Sequence, residues 1–419
     1  MTSAKAIILV GGPSRGTRFR PLSMTVPKPL FPVAGHPIIW HHLQALARVQ
    51  DLKEVILVGF YEESVFTSFI KEASEQFPSM TIKYLREYQA LGTAGGLYLF
   101  RDAILKNSPS QIFVLHADVC CSFPLTEMQN LHTERGAQAT MLGTKVTTEA
   151  ATNFGCIVSD PATGEVLHYV EKPESYISNM INCGVYLFDA SIFGEIKAAM
   201  KAKADGEKNT LVLDPLDQND ERLRLEQDIL APLAQKHRVF VYETKGFWRQ
   251  IKTAGSAVPA NALYLQKAHQ SPADSASVKL ADKLEGVEIV HPVYIHPSAS
   301  VAPGAKLGPN VSIGAKAKIG AGARVKDSII LPSAEVGHDS SVLHSIIAWD
   351  SRVGNWARVE GTPTLPGSHV MTVLRGGVKV QSITILAQDV IVADEVMVQN
   401  CVVLPHKELK KDVVNEVIM

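Results

Sequence analysis

Two periods of hydrophobic recurrence divide the chain. Up to about residue 270, short runs of β-branched and aliphatic residues alternate with segments of helical spacing. Residues 5–12, 54–60, 81–87, 111–118 and 238–244 read as strands, and 37–49, 62–77 and 253–270 as helices. Strands this continuously apolar, interleaved with helices, predict a Rossmann-like, mostly parallel sheet with helices on both faces. Such sheets bind ligands beyond the C-terminal ends of their strands. A polar insertion over 205–224 reads as a mobile surface excursion.

From Tyr294 the period becomes six. Ile295, Val301, Leu307, Ile313, Ile319 and Val325 recur at that interval, and Gly308, Gly314 and Gly320 each follow an aliphatic residue. Neither a helix nor a simple strand has this period. It predicts a left-handed parallel β-helix, with one aliphatic side chain per short strand pointing into the core. The spacing loosens after Leu331 but persists in Val336, Val342, Val353 and Val359. It breaks over 361–382, which by itself reads as an exposed loop between coils. The organisation expected is an α/β domain over 1–270, a linker over 271–290, and a β-helix over 291–419 carrying the inserted loop 361–382.

Composition narrows the function classes. The 419 residues carry a formal net charge of −1, so no global field draws in nucleic acid or an anionic membrane, and phosphate binding must be local. The five cysteines, Cys120, Cys121, Cys156, Cys183 and Cys401, are odd in number and form no Cys-x-x-Cys pair. They read as reduced thiols, not as a zinc site or a disulfide framework. The N-terminal apolar run is too short for a signal-peptide core, and no stretch is long enough to span a bilayer. A cytoplasmic chain is expected.

The candidate chemistry begins in "LVGGPSRGTRFRPLSMTVPKPL", residues 9–30. Backbone N–H groups of a glycine turn after a parallel strand form a concavity suited to phosphate oxygens, and Arg18 can contact them bidentately. Pro13, Ser14 and Arg15 lengthen that turn, and Pro13 removes one N–H from it. The stretch Gly-Gly-x-x-x-Gly-Thr-Arg-x-Arg-Pro-Leu … Pro-Lys-Pro, with "LGTAGG" at 91–96, "HAD" at 116–118, "FG" at 154–155, "VEKP" at 170–173 and "NCGVYLF" at 182–188, resembles the sugar-phosphate nucleotidyltransferases, whose Gly-Gly-x-Gly-Thr-Arg turn is two residues shorter. With the hexapeptide region, nearly the whole chain resembles GDP-mannose pyrophosphorylase, that is, mannose-1-phosphate guanylyltransferase. The lengthened first loop, "FWRQIKTAGSA" and the interrupted solenoid are similar to that family's alpha-type, regulatory chains.

The resemblance implies roles residue by residue. Leu9, Gly11, Gly12, Gly16, Thr17, Gly92 and Thr93 would line the nucleotide, with Glu87 near the base. Gly155, Glu171, Lys172, Asn182 and Gly184 would hold the sugar and its phosphate. Arg18, Lys28 and Asp118 match catalytic positions, with Asp118 a ligand of Mg²⁺. The second metal-binding aspartate of the family matches Gln250 here, and Lys252 follows closely. A neutral amide beside a cation weakens Mg²⁺ binding and transition-state stabilisation, so weak or absent catalysis is expected. Asp228 is an acidic residue that could substitute for the second aspartate.

The resemblance further implies that GDP-mannose, or a GTP-type nucleotide, is the ligand and that a catalytic beta-type subunit is the partner. It implies a hetero-oligomer to which the β-helix contributes, and a loop 361–382, tipped by Arg375, Gly376 and Gly377, that inhibits the partner. Other readings stay open. The chain could be a working guanylyltransferase. His344 invites comparison with solenoid acyltransferases, which would not need the N-terminal constellation. His41 and His42, about 100° apart on a helix, chelate poorly, and His116 reads as a packed strand-end residue.

Overall fold

The computed structural model describes residues 3–12, 16–209, 222–272, 278–363, 372–375 and 378–419. They form two compact units, one of Met1–Arg15 with Ile39–Trp248, the other of Gly16–Ile38 with Arg249–Met419.

The first unit is built on one mixed sheet. Its strands are β1 (Ala4–Gly11), β2 (Leu52–Gly59), β3 (Thr81–Arg86), β4 (Gln111–His116), β5 (Ala139–Lys145), β6 (Gly155–Ser159), β7 (Val166–Glu171), β8 (Met180–Asp189) and β9 (Val239–Glu243). The order is β7-β6-β8-β4-β1-β2-β3, with β5 beside both β8 and β9. The four strands β4, β1, β2 and β3 are parallel, as the continuous apolar runs predict. Beyond β4 the sheet turns antiparallel through β8, which pairs with β4 and β5. Helices α1 (Ile38–Leu46), α2 (Glu63–Gln76), α3 (Gly92–Leu99), α4 (Leu125–Glu134) and α5 (Ile192–Asn209) connect the strands.

Ile7, Ile56, Ile112, Val114, Tyr186 and Phe188 are buried in the sheet, packed with Leu97 of α3 and with Leu223, Leu225 and Ile229. At about 25 cal/mol per Å² of apolar surface removed from water, such side chains stabilise the unit by roughly 1.5–3 kcal/mol each. The insertion is thus more ordered at its end than its polarity suggests. Its first residues extend α5, Leu223 is buried, and residues 210–221 lie outside the described set.

The second unit is a ladder of three parallel sheets. Strands of two or three residues stack from Glu288–Ile289 to Val417–Ile418, each pairing with the equivalent strand of the next coil. This is the β-helix predicted by the sixfold spacing. Leu307, Ile313, Ile319 and Val325 are buried in its core, and Ile295 and Val301 pack against it partly covered. A helix, α6 (Ala257–Gln270), and the segment Gly16–Ile38 belong to the same unit. The inserted loop 361–382 holds two short antiparallel strands, Thr372–Arg375 and Val378–Gln381. Gly376 and Gly377, between them, lie outside the described residues.

Candidate functional site

In the first unit the strand ends meet where a Rossmann-like sheet collects ligands. Ala117 N–H donates to the Leu9 carbonyl at 3.1 Å, Phe60 N–H to Gly11 at 3.2 Å, and Glu87 N–H to Gly59 at 2.8 Å. These bonds bring Leu9, Gly11 and Glu87 to one edge, with Asp118 in the turn after β4. Gly12 has open space beside it. Pro13–Arg15, the lengthened part of the glycine turn, lie outside the described residues.

Glu87 lies against α3. A Cβ on Gly96 would stand 1.9 Å from Glu87 Oε1, so only glycine there lets the carboxyl settle on the helix. Burial pushes this carboxyl up to about 7, because the charged form loses hydration without a compensating cation.

The start of α3 carries Gly92 and Thr93, and it is closed by the chain that returns from the insertion. Ala94 and Gly95 N–H both donate to the Leu223 carbonyl, at 3.0 and 3.4 Å, and Leu223 N–H donates to Leu91 at 2.8 Å. Leu225 N–H donates to Thr93 Oγ1 at 2.8 Å. Helix-start N–H groups need partners, and here the protein supplies them itself. Asp228 accepts from Arg224 N–H at 2.6 Å, with Lys203 Nζ 3.5 Å away, so its carboxylate is engaged locally.

The residues matched to sugar binding form a hydrogen-bonded run. Lys172 Nζ lies 2.9 Å from Glu171 Oε1, and Tyr169 O–H donates to Glu171 Oε2 at 2.6 Å. Asn182 Nδ2 donates to Tyr169 at 3.3 Å and to Tyr186 at 2.9 Å, while its Oδ1 accepts Gly184 N–H at 2.9 Å. Tyr186 O–H donates to Glu226 Oε1 at 2.9 Å, and His116 Nε2 lies 3.4 Å from the same oxygen. Gly155 and Gly184 are required by shape. A Cβ on Gly155 would sit 2.0 Å from the Tyr169 hydroxyl, and Gly184, at φ +74°, forms the bulge that turns Asn182 inward.

Sequence reasoning found Glu171, Lys172 and Asn182 in this run and missed Tyr169, Tyr186 and Glu226. Tyr169 precedes Glu171 by two on a strand, a spacing that puts both on one face, and that signal was available. Glu226 offered none, because the polar insertion separates it from Tyr186.

In the second unit, Gly16 caps a short turn at φ +76°, followed by exposed Thr17 and Arg18. Lys28 Nζ donates to the Ile251 carbonyl at 3.2 Å, which places it beside the Gln250–Lys252 stretch. The segment is moored by Phe31, whose ring meets Phe19 edge-on at 5.1 Å and Trp349 at 6.0 Å. Ala34 N–H donates to Asn261 Oδ1 at 2.8 Å, and a Cβ on Gly35 would fall 2.3 Å from the Tyr294 ring. His344 takes a corner of the ladder at φ +47°, with Asp327 at 3.8 Å, and burial holds its imidazole below the usual range. Among the described residues, no three His, Cys, Asp or Glu side chains converge to hold a metal ion.

A Nucleotidyl transferase family model matches residues 5–264, and a GMPPB C-terminal domain model matches 289–419. The chain is 55% identical over 420 residues to a Schizosaccharomyces pombe protein named "Probable mannose-1-phosphate guanyltransferase", covering 99% of this chain and 100% of that one. It belongs to the mannose-1-phosphate guanylyltransferase family. Within that family it is 48% identical to the regulatory subunit alpha of Dictyostelium discoideum, covering 100% of this chain and 99% of that one. It is 49% identical to regulatory subunit alpha-B of Danio rerio, covering 99% and 100%. A solved chain from Bacillus anthracis, assigned as a glucose-1-phosphate thymidylyltransferase, shares the fold of the first part. Its TM-score is 0.51 at 24% identity, covering 62% of this chain and 95% of that one. Among the described residues no helix is long and apolar enough to cross a membrane.

Proposed function

We propose that this member of the mannose-1-phosphate guanylyltransferase family is a regulatory subunit. It binds GDP-mannose through its nucleotidyltransferase-like part and restrains a catalytic beta-type partner in a cytoplasmic hetero-oligomer, to which the β-helix contributes self-association. The observation that carries this reading is Gln250, with Lys252 two residues on, at the position matched to a metal-binding aspartate. Mg²⁺ arriving with a nucleotide would have Asp118 and phosphate oxygens to hold it, but not a second carboxylate. Two relatives named as regulatory subunits support the same reading. Loop 361–382, with its paired strands, is the element assigned to contact the partner. The second reading, a working guanylyltransferase, draws on the Schizosaccharomyces pombe relative and on the retention of Arg18, Lys28 and Asp118.

Calorimetry of the purified chain should detect GDP-mannose, and adding the chain to a catalytic family member should make that enzyme more sensitive to GDP-mannose. Regulation requires the ligand to bind the restraining and permissive states with different affinity. An enzyme whose sensitivity is unchanged by this chain, or a titration without heat, would remove the reading.

Glu87 adds a pH signature. If its carboxylate accepts from the base's N–H donors, binding needs the ionised form. With the free carboxyl at about 7, affinity for GDP-mannose should rise about tenfold between pH 6 and pH 8, and Glu87→Gln should flatten that slope. Stability of the ligand-free chain runs the other way. A carboxyl raised in the folded state contributes most below its unfolded value of 4.5, and that contribution is lost as pH climbs towards 7.

A further inference from the structure

We infer that Glu226 is a positioning residue for the sugar half of the ligand site, and that Leu223–Glu226 clamps this half to the start of α3. The inference rests on the reading that the first unit binds a sugar nucleotide, and it adds a residue and a segment to which no role has been assigned.

The direction of the hydrogen bonds carries the argument. Glu226 is partly buried, and burial pushes its carboxyl up, but His116 and the Tyr186 hydroxyl outweigh that and hold it below the usual carboxylate range. An anion at that end can only accept, so Tyr186 must donate to it, leaving the Tyr186 oxygen to accept from Asn182. At the other end Glu171 is likewise an acceptor, so Tyr169 donates to it and accepts from Asn182. Both amide protons of Asn182 are therefore spent inside the protein, and Oδ1 takes Gly184 N–H. Asn182 is held in one orientation by a carboxylate on each side. It organises the hydrogen-bonded run, and Glu171, with one oxygen towards Lys172, is left as the acceptor for sugar hydroxyls.

The same four residues reach the nucleotide half. The Leu223 carbonyl takes two N–H groups from the start of α3, and Leu225 N–H takes the Thr93 hydroxyl. Both leucines are buried in the core of the unit, which fixes the backbone that carries Glu226. Leu225–Leu230 is wound as a π-helix, a rare form that persists where side-chain placement requires it. Motion of this clamp would alter the capping of α3 and the orientation of Asn182 together.

The test is a calorimetric comparison of GDP-mannose with GDP, because the ratio of the two affinities isolates the mannosyl half. In the full-length chain, Glu226→Gln keeps the shape but removes the charge that sets the run's direction, and Tyr186→Phe cuts the run with little change in volume. Each should weaken GDP-mannose about tenfold, as expected for a lost hydrogen bond to a charged group, while changing GDP less than about twofold. The double variant should be no worse than either single one, since both break one path. Equal losses for both ligands would mean a merely structural role and would overturn the inference, as would an unchanged ratio. Wild-type chain that binds neither ligand would instead overturn the sugar-nucleotide reading on which the inference rests.

Discussion

Supplied with GTP, mannose-1-phosphate and Mg²⁺, the purified chain should form GDP-mannose at least about a hundredfold more slowly than a catalytic member of its family assayed beside it. In-line attack of a sugar phosphate on the α-phosphorus builds charge on the phosphate oxygens, and the metal with its carboxylates offsets it. Removing one preorganised electrostatic group of this kind costs about 10²–10³ in turnover. Gln250 supplies an amide oxygen in place of a full negative charge, and Lys252 adds a cation to the same stretch. Gln250→Asp should recover at least about tenfold of the deficit if the carboxylate is the main lesion. Turnover by the unmodified chain at a rate comparable to the catalytic member's would sink the regulatory reading in favour of a working enzyme.

A large stability effect outside the hydrophobic core is expected at Gly92. It sits at φ +79°, and an added Cβ would stand 2.4 Å from the Leu223 carbonyl oxygen. A left-handed conformation costs a side-chain-bearing residue roughly 1–2 kcal/mol. The clash adds to that, because its partner is backbone held by three hydrogen bonds and cannot swing away. Gly92→Ala should therefore destabilise the first unit by about 2–4 kcal/mol, read as a lower urea midpoint. Gly194→Ala, on a helix with open space beside it, should be neutral or slightly stabilising. If the two variants melt alike, the clamp described for Leu223 is not holding the start of α3.

Much of the architecture is legible in the sequence. A strand buried on both faces must be apolar throughout, so the runs at 5–12, 54–60 and 111–118 announce the parallel strands directly. Six-residue recurrence admits one explanation, and the ladder from Glu288 to Ile418 follows it. The antiparallel half of the sheet was less legible. Residues 155–159 and 166–171 are short, and in the second the exposed Leu167 and Val170 blur the alternation of buried and exposed positions. That the side chain at Gln250 is neutral was visible too, since its charge is a chemical fact of one residue.

Pairings between distant stretches were not visible. Nothing in "GTRFRPLSMTVPKPLFPVAGHPI" says that this segment packs with the β-helix. The contact of Phe31 with Trp349 and the seat of Gly35 on Tyr294 decide it. Likewise, Glu226 reads as one more charge beside a polar insertion until the fold sets it under Tyr186. The reason is physical. Hydrophobic period reports which face of an element is buried, a property carried by neighbours along the chain. Partnership across the chain depends on which buried surfaces fit and which polar groups must be satisfied once water is gone. Fold class and the neutral side chain of Gln250 were therefore written in the linear order of residues, whereas the path from Glu226 to Glu171 exists only in the folded molecule.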